Sequence, residues 1–447
     1  MINIQHIQIL NQHWQSETEY YCSYKYKRDA FEKIKPWLNT KHIISLSGLR
    51  RTGKSTLLSQ LREDYAKINK LKNTEHLFFS FENEDRQSLA PVSDLEELLK
   101  YYFDNILLTP PSKLKNPILI CLDELQNVDS WQKVLKTYYD LSANIKFIIS
   151  GSSSLYLKES AESLVGRIMD FTIYPLSFRE FLKLSNNADL KTINTLDDIL
   201  SFAPSSTNTE RLNLFETFLL IGGFPEAATM YANNIPVIQI QHYIRESIVN
   251  KIINKDLAKF FNLKVTEKDL LLFKVLCFES GQITNNKKLA DESGFSLDSV
   301  KCHLQAMIDS GLLLTLKRFD TKPRKISNAH PKTYITSPSI VNSFLGYEQI
   351  PQGSLIGHLA ESYAFMRLKE LNQNKEIYFA SPGRNKEIDF YLPNQKILLE
   401  SKYSDYISKE DINYVVQQAK KYKLKAFLIT KQLIDSTDIK SIPVSYL

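Results

Sequence analysis

The sequence predicts an α/β protein built on a parallel sheet that is covered on both faces. Short apolar runs recur at His42–Gly48, His76–Glu82, Pro117–Asp123, Lys146–Gly151 and Asp170–Pro175. Helical patterns separate most of them, and near-continuous apolar strands alternating with helices mark buried parallel strands. The first run enters a glycine-containing turn, Gly48-Leu-Arg-Arg-Thr-Gly-Lys-Ser, which is the strand–loop–helix setting of a phosphate-binding loop.

Residues 1–40 are polar and aromatic and end in a helix-like stretch, Arg28–Leu38. The pattern Gly48-x4-Gly53-Lys54-Ser55 that follows is a Walker A loop. Gly48, Arg50, Arg51, Thr52, Gly53, Lys54, Ser55 and Thr56 are therefore expected to line the phosphates of ATP. Glycine is needed where backbone must approach the phosphates, and the N–H groups of the loop and of the next helix can cradle them. Lys54 would reach the β- and γ-phosphates and Ser55 would ligate Mg²⁺. The third apolar run ends in Asp123-Glu124. Asp123 would hold Mg²⁺ through water, and Glu124 would polarise the attacking water; the alternative is a surface acidic pair. After the fourth run, Ser152 in Ser150-Gly-Ser-Ser-Ser154 could sense the γ-phosphate or simply cap a turn. Arg167 could act as an arginine finger or form a surface salt bridge. A finger acting in trans would require a homo-oligomer.

Residues 181–264 read as mainly helical, with a tight turn at Gly222-Gly-Phe-Pro-Glu226. Residues 265–340 read as three helices and two short strands, the pattern of a winged helix. Ser296 caps the third helix, with Val300, Leu304 and Ile308 on one face. A winged helix would place that helix in a DNA major groove. Lys317, Arg318, Lys322, Arg324, Lys325 and Lys332 of the wing would face phosphates. Pro351–Ser354 looks like a boundary, and residues 353–447 form a last α/β unit. There Asp389 sits on one strand, and Glu400 and Lys402 lie two apart on the next, so both leave the same sheet face. Asp389 and Glu400, with Glu361 from the preceding helix, could bind Mg²⁺, and Lys402 could activate a water.

The chain has 447 residues and a formal net charge of +6, mildly basic, which permits a nucleic-acid partner without demanding one. Its four cysteines form no CxxC pair, so neither a zinc site nor a disulfide framework is expected and a reducing cytoplasm is the natural compartment. No signal peptide and no apolar stretch of about 18 residues is seen, so no membrane partner is expected.

These motifs together resemble bacterial and archaeal AAA+-type ATPases that carry a C-terminal restriction-endonuclease-like domain of the PD-(D/E)XK pattern. The resemblance rests on the Walker A segment, Leu122-Asp-Glu-Leu-Gln, Ser150-Gly-Ser-Ser-Ser, Tyr174-Pro-Leu-Ser-Phe-Arg-Glu-Phe, Gly222-Gly-Phe-Pro-Glu, and the set Glu361, Asp389, Glu400 and Lys402. One departure is Ile388, which stands where the pattern has proline. The resemblance implies a P-loop AAA+ core (residues 1–180), a helical lid (181–264), a winged helix-turn-helix (265–340) and a nuclease-like domain (353–447). It makes Lys54, Ser55, Asp123 and Glu124 the ATPase residues, and Asp389, Glu400 and Lys402 the nuclease residues with Glu361 as helper. The expected function is ATP- and Mg²⁺-dependent DNA processing with cleavage. The alternatives are a non-cutting nucleotide switch, binding DNA or a protein partner, and an ATP-dependent remodeller of proteins.

Overall fold

The computed structural model describes residues 3–16, 20–82, 90–151, 164–186, 193, 195–201, 209–322, 324, 326, 329–372, 375–383, 386–434 and 436–447. The chain divides into two compact units: Met1–Ile173 with Lys259–Asn262, and Tyr174–Ala258 with Leu263–Leu447.

The first unit is a five-stranded sheet of β1 (Ile43–Ser47), β2 (His76–Ser80), β3 (Ile118–Asp123), β4 (Ile145–Gly151) and β5 (Ile168–Thr172). All pairs are parallel, in the order β2-β3-β4-β1-β5. All five expected strands are present. β5 begins two residues before its expected start because Ile43 pairs with Ile168. Alternate residues go to opposite faces, and each face has its own apolar layer. Ile44, Leu46, Cys121 and Ile148 pack with Leu57, Leu58 and Leu61 of the helix Lys54–Asn69. Ile120, Leu122, Phe147 and Ile149 pack with Leu95 and Leu98 of the helix Val92–Tyr101 and with Trp131 and Leu135 of the helix Trp131–Leu141. Burial on both faces is why these strands are apolar throughout instead of alternating with polar residues.

In the second unit, the helices Glu267–Phe278, Asn286–Ser293 and Leu297–Asp309 carry β6 (Gln282–Ile283), β7 (Leu313–Arg318) and β8 (Lys332–Ile335). The Ser296 hydroxyl accepts the Ser299 N–H at 3.2 Å and so caps the third helix, as its sequence position suggests. The helix Ser354–Leu371 follows, then β9 (Tyr378–Gly383), β10 (Lys386–Leu392), β11 (Ile397–Lys402), the helix Lys409–Tyr422, β12 (Lys425–Thr430) and a further strand, β13 (Lys440–Pro443).

These strands form one sheet of eight, in the order β13-β12-β11-β10-β9-β7-β8-β6. β7 is antiparallel to β8 and parallel to β9, pairing Lys317 with Tyr378 and Arg318 with Phe379. The Phe319 N–H extends this seam to the Phe379 carbonyl at 2.7 Å. The sheet therefore runs across the sequence boundary at Pro351–Ser354. One apolar core also joins Phe178, Phe181, Phe215 and Phe218 of the 178–221 helices to Tyr363, Phe390, Leu399 and Ile442.

A bulge interrupts β10. Ile388 pairs with Ala380 and Tyr391 with Tyr378, so three steps on β10 match two on β9. Ile388 and Tyr391 consequently share one face, around a cavity of about 380 Å³. Phe390 between them stacks on Phe365 of the helix Ser354–Leu371. Bulges of this kind re-aim side chains locally, and Asp389 lies within this one.

Candidate ATP site and carboxylate centre

The phosphate loop leaves the carboxyl end of β1, where ligands of open parallel sheets bind. Its backbone dictates its residues. Gly48 has φ 141°, and a Cβ there would lie 2.4 Å from the Ile173 carbonyl oxygen. Arg51 (φ 63°) and Gly53 (φ 89°) are left-handed. Gly53 is the N-cap of the helix Lys54–Asn69, whose first-turn N–H groups have no intrahelical acceptor. Lys54 is buried, and its ammonium donates to the Leu49 carbonyl at 2.9 Å. The buried Thr52 hydroxyl donates to the same carbonyl at 2.9 Å. Arg50 and Thr56 are half-buried and Arg51 and Ser55 exposed along the same loop and helix start.

A residue the sequence reading missed holds the loop from outside. Arg28, just ahead of the helix Asp29–Ile34, is buried and donates from Nη1 to the Thr52 carbonyl at 2.7 Å. The Arg28–Leu38 stretch showed as a helix, but nothing local marks its first residue as a loop anchor.

Asp123 and Glu124 end β3, which is separated from β1 by β4. Asp123 is buried and accepts a hydrogen bond from the Ser150 hydroxyl at the end of β4. Burial, with Glu124 beside it, pushes the Asp123 carboxyl above its usual range; the hydroxyls of Ser150 and Ser55 and the Lys54 ammonium pull it partly back. Ser55, Lys54 and Asp123 are thus brought together. A buried carboxylate beside a hydroxyl, both hard oxygen donors, fits Mg²⁺. Glu124 follows in a left-handed conformation (φ 52°) and accepts from the Gln126 amide. Ser150, at the end of β4, joins Ser55 as a hydroxyl on Asp123. Ser152 lies outside the described residues.

Arg167 is placed elsewhere. Its carbonyl accepts the Ile43 N–H at 2.8 Å, at the amino end of β1 and so at the opposite end of the strand from the phosphate loop. Its guanidinium makes a two-pronged ion pair with Asp140 at 3.0 and 3.2 Å. The salt-bridge alternative is what the structure contains; as a finger on its own chain's nucleotide, Arg167 is on the wrong edge.

In the second unit, Asp389, Glu400 and Lys402 lie on paired strands. The Asp389 N–H donates to Glu400 Oε2 at 3.2 Å, and Lys402 Nζ is 2.9 Å from Glu400 Oε1. Asp389 Oδ2 accepts the Ser401 N–H at 2.9 Å. Glu361 joins through an unforeseen residue, Lys332, the first residue of β8. The Lys332 ammonium lies 3.0 Å from Asp389, 3.3 Å from Glu361 and 2.9 Å from Glu387, and its side chain is only 2% exposed. Lys332 is therefore not a wing cation facing phosphates. Lys317, Arg318, Lys322 and Arg324 are exposed, and Lys325 lies outside the described residues. Tyr334 OH donates to Glu361 at 2.7 Å.

Burial, reinforced by Asp389, raises the Glu361 carboxyl to about 7 and the Glu400 carboxyl to about 8. Burial works against the Lys332 ammonium, but Asp389, Glu361 and Glu387 outweigh it and hold its pKa above the usual value. Both oxygens of Asp389 and of Glu400 already accept from protein donors. A divalent cation does not fit the carboxylates as they stand, and among the described residues no group of three or more His, Cys, Asp or Glu side chains is disposed to hold a metal ion. No described helix is long and apolar enough to cross a membrane.

Comparison with known proteins agrees with the first unit. Residues 40–182 match the family described as an AAA domain, and residues 212–350 match a domain of unknown function, DUF8612. The chain is 27% identical over 352 residues to an uncharacterized protein of Methanocaldococcus jannaschii, covering 77% of this chain and 70% of that one. It is 25% identical over 430 residues to an uncharacterized protein of Haemophilus influenzae, covering 94% and 96%. Among solved structures, it aligns with the Aeropyrum pernix ORC2 protein in ADPNP-ADP complexes at 10% identity and TM-score 0.38, covering 80% of this chain and 98% of that one. It also aligns with the Thermotoga maritima RuvB Holliday junction branch migration motor at 13% identity and TM-score 0.32, covering 72% and 92%. The first unit is an α/β domain with a P-loop, and the match to an AAA domain at residues 40–182 covers its whole sheet.

Proposed function

We infer that the protein binds and hydrolyses ATP at the Gly48–Thr56 loop and uses that cycle to control engagement of DNA by a winged helix at residues 265–340. The observation carrying this reading is the conjunction of the loop, Lys54, Ser55 and the buried Asp123–Ser150 pair. Lys54 can exchange the neutral Leu49 carbonyl for a phosphate oxygen, which is the stronger acceptor. Ser55 and Asp123 would hold Mg²⁺, which would offset phosphate charge as it develops. Glu124, next to Asp123, would orient the attacking water and take its proton. The exposed cations Lys317, Arg318, Lys322 and Arg324 support phosphate contact by the wing. The test is ATP turnover with and without duplex DNA, in wild type and Glu124→Gln. DNA-dependent turnover that Glu124→Gln abolishes is expected. Turnover by wild type that DNA leaves unchanged, with no salt-dependent DNA binding, would remove DNA from this reading.

A second reading, cleavage of a phosphodiester by the C-terminal domain, has one observation for it and one against it, since Lys332 and Lys402 already occupy the carboxylates a metal would need. Asp389, Glu400 and Lys402 meet on neighbouring strands, as such chemistry needs. Plasmid cutting in Mg²⁺ or Mn²⁺ that Lys402→Ala removes would support it.

A further inference from the structure

The C-terminal carboxylates are already served by a cation that the chain itself supplies. Lys332 Nζ lies 3.0 Å from Asp389, 2.9 Å from Glu387 and 3.3 Å from Glu361. It enters from β8, a strand of the three-helix segment, and not from the sheet region that bears the carboxylates. Its surroundings are built to keep it there. The ammonium is 2% exposed, Tyr334 two residues on binds Glu361 from the same strand at 2.7 Å, and Asp389 is held from its other oxygen by the Ser401 N–H at 2.9 Å. Glu400 is occupied in parallel by Lys402. Two ammonium groups therefore sit among the acidic side chains that a metal would need.

We propose that Lys332 is the resident cation of this centre, standing in for a divalent metal and fastening the base of the wing to the C-terminal strands. A buried charge is tolerated when countercharges are within contact distance, and removing one partner leaves the rest uncompensated. The position of Lys332 in the chain gives the fastening its purpose. Residues 319–331 connect β7 to β8. The leading root of this connection is held by the β7–β9 pairing and the Phe319–Phe379 hydrogen bond. Its trailing root is Lys332. The leading root is anchored to β9 and the trailing root to β10 and the helix Ser354–Leu371, so the exposed Lys322 and Arg324 lie between two fixed roots. The C-terminal domain then serves as the scaffold of the wing, and its acidic pocket serves as the socket.

The test is Mn²⁺ uptake by the full chain without nucleotide, read by electron paramagnetic resonance. Wild type is expected to bind no Mn²⁺ that Asp389→Asn releases. One Mn²⁺ per chain, held by wild type and lost in Asp389→Asn, would overturn the assignment. Lys332→Met keeps the apolar stem and deletes the charge. It is expected to melt about 5–10 °C lower in EDTA, and to gain Mn²⁺ affinity by about tenfold or more because three carboxylates then lack a cation. A Lys332→Met chain that melts like wild type and binds Mn²⁺ no better would equally overturn it. Should that variant fail to fold, the wild-type comparison with Asp389→Asn decides alone. The experiment uses no nucleotide, so its failure leaves the ATP reading standing.

Discussion

Lys54, the first residue of a helix, and Lys332, the first residue of a strand, are both buried, and they are buried for opposite ends. Lys54 donates to a neutral backbone carbonyl, a partner that an incoming phosphate can displace. Lys332 contacts three carboxylates, and a ligand would have to break every one of those contacts. The first arrangement suits a lysine that waits for an anion, the second one that has already found its anions. A motif's residues can thus be present, adjacent and buried while their hydrogen-bonding capacity is already spent.

The largest way to break this comparison is at Lys54. Lys54→Ala is expected to lower ATP turnover by about 10²–10³-fold, the loss seen when one preorganised charge donor is removed. Its melting temperature should fall less than that of Lys332→Met, because only Asp123 loses a nearby cation and the hydroxyls of Ser55 and Ser150 remain on it. Lys332→Met should do the reverse, losing about 3–5 kcal/mol of stability. If calorimetry found Lys54→Ala the less stable of the two, the contrast would be wrong.

Next in size, acidity should affect the two units in opposite directions. Burial, helped by Arg62, lowers His13 to about 4 and His76 to about 2, from an ordinary 6.5. Between those values the unfolded chain holds more protons, so the contribution of these two histidines is complete above 6.5 and falls as pH drops toward 4. Glu361 and Glu400 are raised from 4.5 to about 7 and about 8. There the folded chain holds more protons, so their contribution is complete below 4.5 and is lost as pH rises through 7 to 8. Calorimetry between pH 5 and 8 should show the two transitions moving in opposite senses; parallel movement would refute the assignment.

Ser150→Ala probes a smaller term. Asp123 loses a hydroxyl donor, worth about 1.5–3 kcal/mol to a charged acceptor, and turnover should fall by about tenfold or somewhat more. Ser55→Ala measured alongside would tell whether the two hydroxyls act together. The smallest effect is expected at Arg167. Its pair with Asp140 is partly exposed, worth about 0–1 kcal/mol. Arg167→Ala should leave turnover essentially unchanged at any protein concentration. A large loss at high protein concentration that shrinks on dilution would restore Arg167 as a finger acting across an oligomer.

Much of this was legible along the chain. The five parallel strands read directly, because strands buried on both faces must be continuously apolar. The phosphate loop read just as directly, because the positive φ at Gly53 and the close approach of Gly48 to Ile173 admit few other residues. Arg28, Ser150 and Lys332 did not. Each acts on a residue 24 to 57 positions away, and neither spacing nor composition encodes such a contact. Lys332 was misread for the same reason: beside Lys322 and Arg324 it counts as one more wing cation, and only strand pairing turns it inward. Asp389, Glu400 and Lys402 were placed together by two-residue periodicity, but the bulge at Asp389 and the arrival of a lysine from β8 lay beyond that rule.

The parallel seam between β7 and β9 also bears on inheritance. A three-helix segment with its own short hairpin could be taken for a portable bead that recombination moves between proteins. Here a gene fragment ending near residue 350 would bare the edge of β7 and strand Lys332 without its acids, an invitation to edge-to-edge association. The segment and the strands after it can be exchanged between genes only as one cassette, which fixes the smallest piece worth grafting at both halves together.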